Sequence, residues 1–110
     1  MSIESVKAYL QKFPRPPRAF EFDPRAPTGP AAAADLGCEP ARIAKTMAFV
    51  VAGHAGLVVI AGDGKVDNPR FKAAFHTKAA MVRPDQLVEQ VGHPMGGVCP
   101  FAIRVDVPVY

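Results

Sequence analysis

The sequence is poor in the features that mark several protein classes. Its longest uninterrupted apolar run, Met47–Ala52, is six residues, against the ~18 that a membrane-spanning helix needs. Only two cysteines are present, Cys38 and Cys99. That is too few for a disulfide scaffold, and their spacing does not make a zinc site, so both read as reduced thiols. Asp63, Asp67 and Asp106 lack calcium-loop spacing, and no other set of metal-binding side chains emerges. There is no GxGxxG after a strand, no GxxxxGKS/T and no internal repeat, so the common nucleotide-phosphate loops are missing. The first residues, Met-Ser-Ile-Glu-Ser, lack the basic-then-apolar form of a secretory signal, which predicts a cytoplasmic protein.

What is present suits one small domain. The 110 residues are 49% hydrophobic, 21% charged and 8% aromatic, a globular balance in a chain of ordinary domain size. Proline is the excess: there are twelve, and seven of them fall within residues 14–40. That predicts a tightly turned first third, with the regular core after Pro40. The net charge of +3 and isoelectric point near 9.1 permit an anionic partner.

Periodicity and punctuation place the elements. A helix is expected from Ser2 to Lys12, capped by Ser2, with Ile3, Val6, Leu10 and Phe13 on one face, and Pro14 ends it. Ala19–Phe22 alternates as a short strand. Thr28-Gly29-Pro30 opens a short helix that Gly37 closes, and Glu39–Ile43 is a further helical turn. Lys45–Ala52 and Leu57–Ala61 form a hairpin joined by Gly53-His54-Ala55-Gly56. A helix begins at Asn68-Pro69 and runs to Phe75, with Phe71, Ala74 and Phe75 on one side. Ala79–Val82 is a strand, and a helix from Arg83-Pro84-Asp85 to Gly92 turns Leu87, Val88 and Val91 inward. Phe101–Val105 and Val107–Tyr110 are two last strands. The order α-β-α-β-β-α-β-α-β-β defines an α+β domain with a mixed, partly barrel-like sheet and peripheral helices.

Three features carry potential chemistry. Lys45 stands at the mouth of the most apolar strand, beside Thr46. As a lysine there it either reaches solvent with its ammonium or serves as an anion or carbonyl ligand at a pocket rim. The loop His93-Pro94-Met95-Gly96-Gly97-Val98-Cys99-Pro100 combines paired glycines, which let backbone amides approach a ligand, with prolines that stiffen it. It is either a plain connection or a rigid backbone-donor site. His54 and His76 read as surface residues. His93 with Cys99 forms a conceivable nucleophile pair, for which no orienting acid is evident.

Taken together, these segments resemble the YbaK/ProX family of trans-editing aminoacyl-tRNA deacylases. The likeness rests on Ala41-Arg42-Ile43-Ala44-Lys45-Thr46-Met47, on Ala61-Gly62-Asp63 with Val66-Asp67-Asn68, on Leu87–Gly92, and on Gly96-Gly97-Val98-Cys99-Pro100-Phe101. It extends from about residue 28 to the last residue, with Lys45-Thr46 and the Gly96-x-x-x-Pro100 loop as its specific parts. The resemblance implies hydrolysis of the ester joining a small amino acid, Ala or Cys, to mischarged tRNA(Pro), with prolyl-tRNA synthetase as a further partner and no metal or organic cofactor. Lys45 would contact the substrate or the tRNA 3′ end, while Gly96 and Gly97 would lend amides to the carbonyl. Thr46, His93, Val98, Cys99 and Pro100 would complete the substrate site, with Phe20 and Phe22 as pocket walls. Lys12, Arg15, Arg18 and Arg25 either serve phosphate contacts or form a solvated surface. The resemblance implies a single domain over residues 1–110, shorter at its C-terminus than is usual in the family. The competing class is a non-catalytic module that binds tRNA or synthetase and keeps the fold.

Overall fold

A computed structural model describes residues 2–14, 33, 34 and 36–110. The expected strand Ala19–Phe22 with Phe20 and Phe22, the helix start at Thr28-Gly29-Pro30, and Arg15, Arg18 and Arg25 lie outside the described residues. So does the Ser2 side chain.

The centre of the molecule is an antiparallel hairpin of β1 (Ala44–Val51) and β2 (His54–Ala61), in register from Ala44 opposite Ala61 to Val51 opposite His54. The connection is shorter than the sequence suggests. Ala52 and Gly53 alone form the turn, with φ of 51° and 80°, the left-handed pair whose twist matches that of the flanking strands. His54, Ala55 and Gly56 therefore belong to β2.

Short segments extend this ribbon on both sides. Residues 80–82 run antiparallel to β1 through Phe49 opposite Met81. There the Val50 N–H donates to the Ala80 carbonyl at 2.7 Å and the Val82 N–H to that of Ala48 at 3.0 Å. Residues 108–110 lie parallel to β2, with the Leu57 N–H on Pro108 at 2.9 Å and the Tyr110 N–H on Leu57 at 2.8 Å. The domain is thus α+β, with an open antiparallel sheet flanked by one antiparallel and one parallel bridge, and its helices are peripheral.

One face of the sheet carries the main core, in which Ala48, Ala55, Leu57, Val82, Leu87, Val91 and Val107 pack together. Leu57 is fully buried, which contributes about 1.5–3 kcal/mol. The other face receives α2 (Asn68–Phe75). Asp67 caps that helix, accepting from the Arg70 N–H at 3.0 Å, and Pro69 occupies the first turn, where no amide is missed. Phe71 packs on Phe49 and Phe75 on Tyr110, with ring centroids 4.9 and 4.8 Å apart. Ala74, expected on the same side, is exposed.

The helix expected from Arg83 to Gly92 is a 3-10 turn, Pro84–Gln86, followed by a single α-turn, α3 (Leu87–Gln90). Leu87 and Val91 point inward, but Val88 is 56% exposed; one short turn has only one buried stripe. The expected strand Phe101–Val105 does not form. Arg104 instead serves the carbonyls that a helix end leaves unpaired. Its N–H donates to Val91 at 3.0 Å and its Nε to the Glu89 carbonyl at 2.6 Å.

Helix α1 (Ser2–Leu10) continues as turns to Phe13, and Leu10 is its buried residue. Gly37 closes a helical turn as expected, with the Cys38 N–H on the Ala33 carbonyl at 3.0 Å. Pro40–Arg42 is a 3-10 turn leading into β1. Among the described residues, no helix is long and apolar enough to cross a membrane.

Candidate functional site

The site lies where β1 runs past its neighbour. Residues 80–82 pair only with the second half of β1, so the Ala44–Met47 half has an open edge among the described residues. Backbone groups along a strand point alternately to either side. Since Ala48 and Val50 bond outward to residues 80–82, the N–H and C=O of Thr46 also point outward, into the space beyond. That space is a cleft of about 600 Å³. Its floor is β1 from Ile43 to Ala48, and its opposite wall is the loop carrying Met95, Gly96, Val98, Cys99, Pro100 and Phe101. The two motifs singled out from the sequence, about fifty residues apart in the chain, face each other across it.

The placement of Lys45 depends on the turn before it. Gly62, next to the end of β2, is packed so tightly against the carbonyls of Pro40 and Ile43 that a Cβ there would overlap both. This close approach seats the 3-10 turn on the hairpin and fixes where β1 begins. Lys45 is partly buried, and among the described residues its ammonium has no carboxylate partner. No Asp or Glu is among the described residues lining the cleft. Among the described residues, the cleft therefore presents one cation, Lys45, in apolar surroundings, an arrangement that favours a carbonyl oxygen or an anion.

The loop is shaped by a tight turn. The Gly97 N–H donates to the Pro94 carbonyl at 3.0 Å, and Gly96, third in that turn, has φ +87°. A type II turn requires this left-handed conformation at its third position. Gly97 thus spends its amide on the turn and does not line the cleft, which corrects its expected role as a donor. The N–H groups of Gly96, Val98 and Cys99 form no hydrogen bond among the described residues, so they are the donors the loop has to offer.

His93 departs from expectation too. It is fully buried behind the loop rather than in the cleft. Its Nε2 is 2.7 Å from the Phe101 carbonyl oxygen, which can only accept, so Nε2 holds the proton. Cys99 Sγ is 3.6 Å from the same nitrogen. A nitrogen already donating to a carbonyl cannot take the thiol proton, and burial pushes the Cys99 thiol up, outweighing a hydrogen bond with the Phe101 backbone. The pair is therefore not arranged as a nucleophile and its base.

Sequence reasoning missed the cleft's soft walls. Met47, Met81 and Met95 all line it, and these are three of the four methionines in the chain. Their flexible thioethers adapt to small apolar groups of varied shape. It also missed Tyr9, whose ring centroid lies 6.2 Å from that of Phe101 and joins α1 to the loop, with Lys12 Nζ 5.6 Å from the Tyr9 ring.

Residues 23–110 match the family model described as the aminoacyl-tRNA editing domain. The chain belongs to that family. A curated relative, "Uncharacterized protein YwhH" of Bacillus subtilis (strain 168), is 39% identical over 111 residues, covering 100% of this chain and 71% of its own. Among solved structures, a "putative trans-editing enzyme for prolyl tRNA synthetase" matches with a TM-score of 0.89 at 24% identity, over 99% of this chain and 70% of that one. A "hypothetical protein APE2540" matches with a TM-score of 0.82 at 27% identity, over 96% and 71%.

Proposed function

We propose that this chain is an aminoacyl-tRNA deacylase, a single editing domain that hydrolyses the ester of mischarged tRNA. The substrate we assign is a small amino acid, Ala or Cys, on tRNA(Pro), removed in trans beside prolyl-tRNA synthetase. The observation that carries the reading is the cleft itself, with Lys45, which has no carboxylate partner among the described residues, on its floor and the glycine-turn loop as the opposite wall.

Ester hydrolysis places negative charge on the carbonyl oxygen as a water oxygen adds to the carbonyl carbon. Preorganised donors lower that barrier by about 3–4 kcal/mol each. The amides of Gly96, Val98 and Cys99 supply them, and the Lys45 ammonium holds the substrate carbonyl or the terminal phosphate. When the intermediate collapses, the carbon–oxygen bond to the ribose breaks and the departing ribose oxygen takes a proton. The neighbouring ribose hydroxyl relays that proton from the attacking water, so no protein nucleophile is required. The thioether walls fit a small side chain, and Thr46 contacts the substrate through its outward backbone groups.

The test is a panel of Ala-, Cys-, Ser- and Thr-charged tRNAs incubated with the protein. Ester loss that Lys45→Ala and Gly96→Ala abolish supports the reading. Binding of tRNA without ester loss makes the domain a non-catalytic binding module. Loss of activity in Cys99→Ala with Lys45→Ala unaffected would make it a cysteine hydrolase.

A further inference from the structure

Among the described residues, His93 is the one buried polar side chain, at 0% exposure, and the chemistry above does not use it. Its position is informative. The ring sits at the start of the loop, and its Nε2–H donates to the carbonyl of Phe101, eight positions later, at 2.7 Å. The Cys99 thiol reaches the same carbonyl and the same nitrogen, at 3.6 Å each. One imidazole thus ties together both ends of the segment that carries the Val98 and Cys99 amides. Directly after the tie, Ala102 has φ 55°, a left-handed conformation that is unfavourable for a residue with a side chain. Such strain persists where the surroundings over-determine the backbone.

We infer that His93 is a positioning residue, a buried clasp that holds the donor loop at the spacing the cleft requires. Its catalytic consequence rests on the deacylase reading; its hold on the loop does not. The clasp works through the N–H of Nε2, so the requirement is a donor at that point rather than a titrating base. His93→Phe keeps a ring of similar size without the donor. His93→Gln places an amide N–H near the position of Nε2.

The experiment compares the parent, His93→Phe and His93→Gln, all in a Cys38→Ser background so that Cys99 is the only thiol. Two readouts are taken: deacylation of Ala-charged tRNA(Pro), resolved into kcat and KM, and the rate of Cys99 alkylation by iodoacetamide. Because a misplacement of about 1 Å can cost ~100-fold, His93→Phe should lower kcat by roughly 10- to 100-fold with KM nearly unchanged. Its Cys99 should alkylate several-fold faster, and His93→Gln should return both readouts toward the parent. The inference is overturned if His93→Phe matches the parent in both, or if His93→Gln restores neither. If His93→Phe does not fold, His93→Asn, whose shorter amide falls short of the Phe101 carbonyl, takes its place. A parent that leaves the ester intact refutes the deacylase reading, and the alkylation rates then decide the clasp alone.

Discussion

The hairpin and the loop from Gly92 to Ala102 are made in opposite ways. In the hairpin, every residue from Ala44 to Val51 has a partner in β2, and shape follows from a repeating ladder and a buried apolar face. The loop has no ladder among the described residues. It is held by individual devices, namely the Pro94–Gly97 turn, the His93–Phe101 hydrogen bond, Arg104 on the end of α3, and Tyr9 against Phe101. A ladder spends its donors on itself. A loop held at a few points keeps amides in reserve, and those of Gly96, Val98 and Cys99 form no hydrogen bond among the described residues. Where one end of the hairpin's ladder lacks an outer neighbour among the described residues, at Thr46, the two regions meet around the cleft.

Substitutions sharpen this contrast, beginning where the damage should be greatest. Leu57→Ala should cost about 2–5 kcal/mol, since it empties a fully buried core position; the midpoint of denaturant unfolding measures it. Gly62→Ala should cost about 1–3 kcal/mol by overpacking against Pro40 and Ile43. It should also weaken deacylation, because the turn that seats Lys45 must shift. Thr46→Pro is the finer probe. Its missing N–H points out of the hairpin, so stability should change by less than about 1 kcal/mol, as for proline on an edge strand. Deacylation should nonetheless fall below that of Thr46→Val, which keeps the amide.

The smallest effect concerns pH. Burial raises the Cys99 thiol above its ordinary value, so the folded state favours the neutral form. That contribution is fully present below the ordinary thiol range and is lost as pH rises through it toward the raised value. Stability should therefore decline in alkaline solution, and Cys99→Ala should flatten the decline in urea melts taken across that range.

The contrast also explains what could be read in advance. The hairpin and helix α2 were legible because apolar runs, glycines and prolines mark them directly, whereas only the family resemblance joined Lys45 and Gly96 in one site. The turn at Ala52–Gly53 was misplaced because Gly56 suggested a loop, when it lies instead in β2 beneath the Tyr110 ring. Phe101–Val105 looked like a strand by composition, yet the unpaired carbonyls of α3 claimed Arg104. Gly97 looked like a donor beside Gly96, and only the hydrogen bond to Pro94 shows that its amide is spent. His93 carried no sequence signal for burial, because its partner is a backbone carbonyl that any residue could supply.

The central claim, that the loop's backbone is the catalytic element and the hairpin its support, is most directly tested at Gly96. A Cβ there meets nothing within 4 Å, so Gly96→Ala changes backbone preference and little else, at a cost of about 1–2 kcal/mol for the left-handed conformation. Deacylation of Ala-charged tRNA(Pro) and the unfolding midpoint would be measured on the same preparation. The account predicts a folded protein whose deacylation falls by at least about 100-fold, as for loss of one preorganised donor. A folded Gly96→Ala that clears the ester at the parent's rate would contradict it.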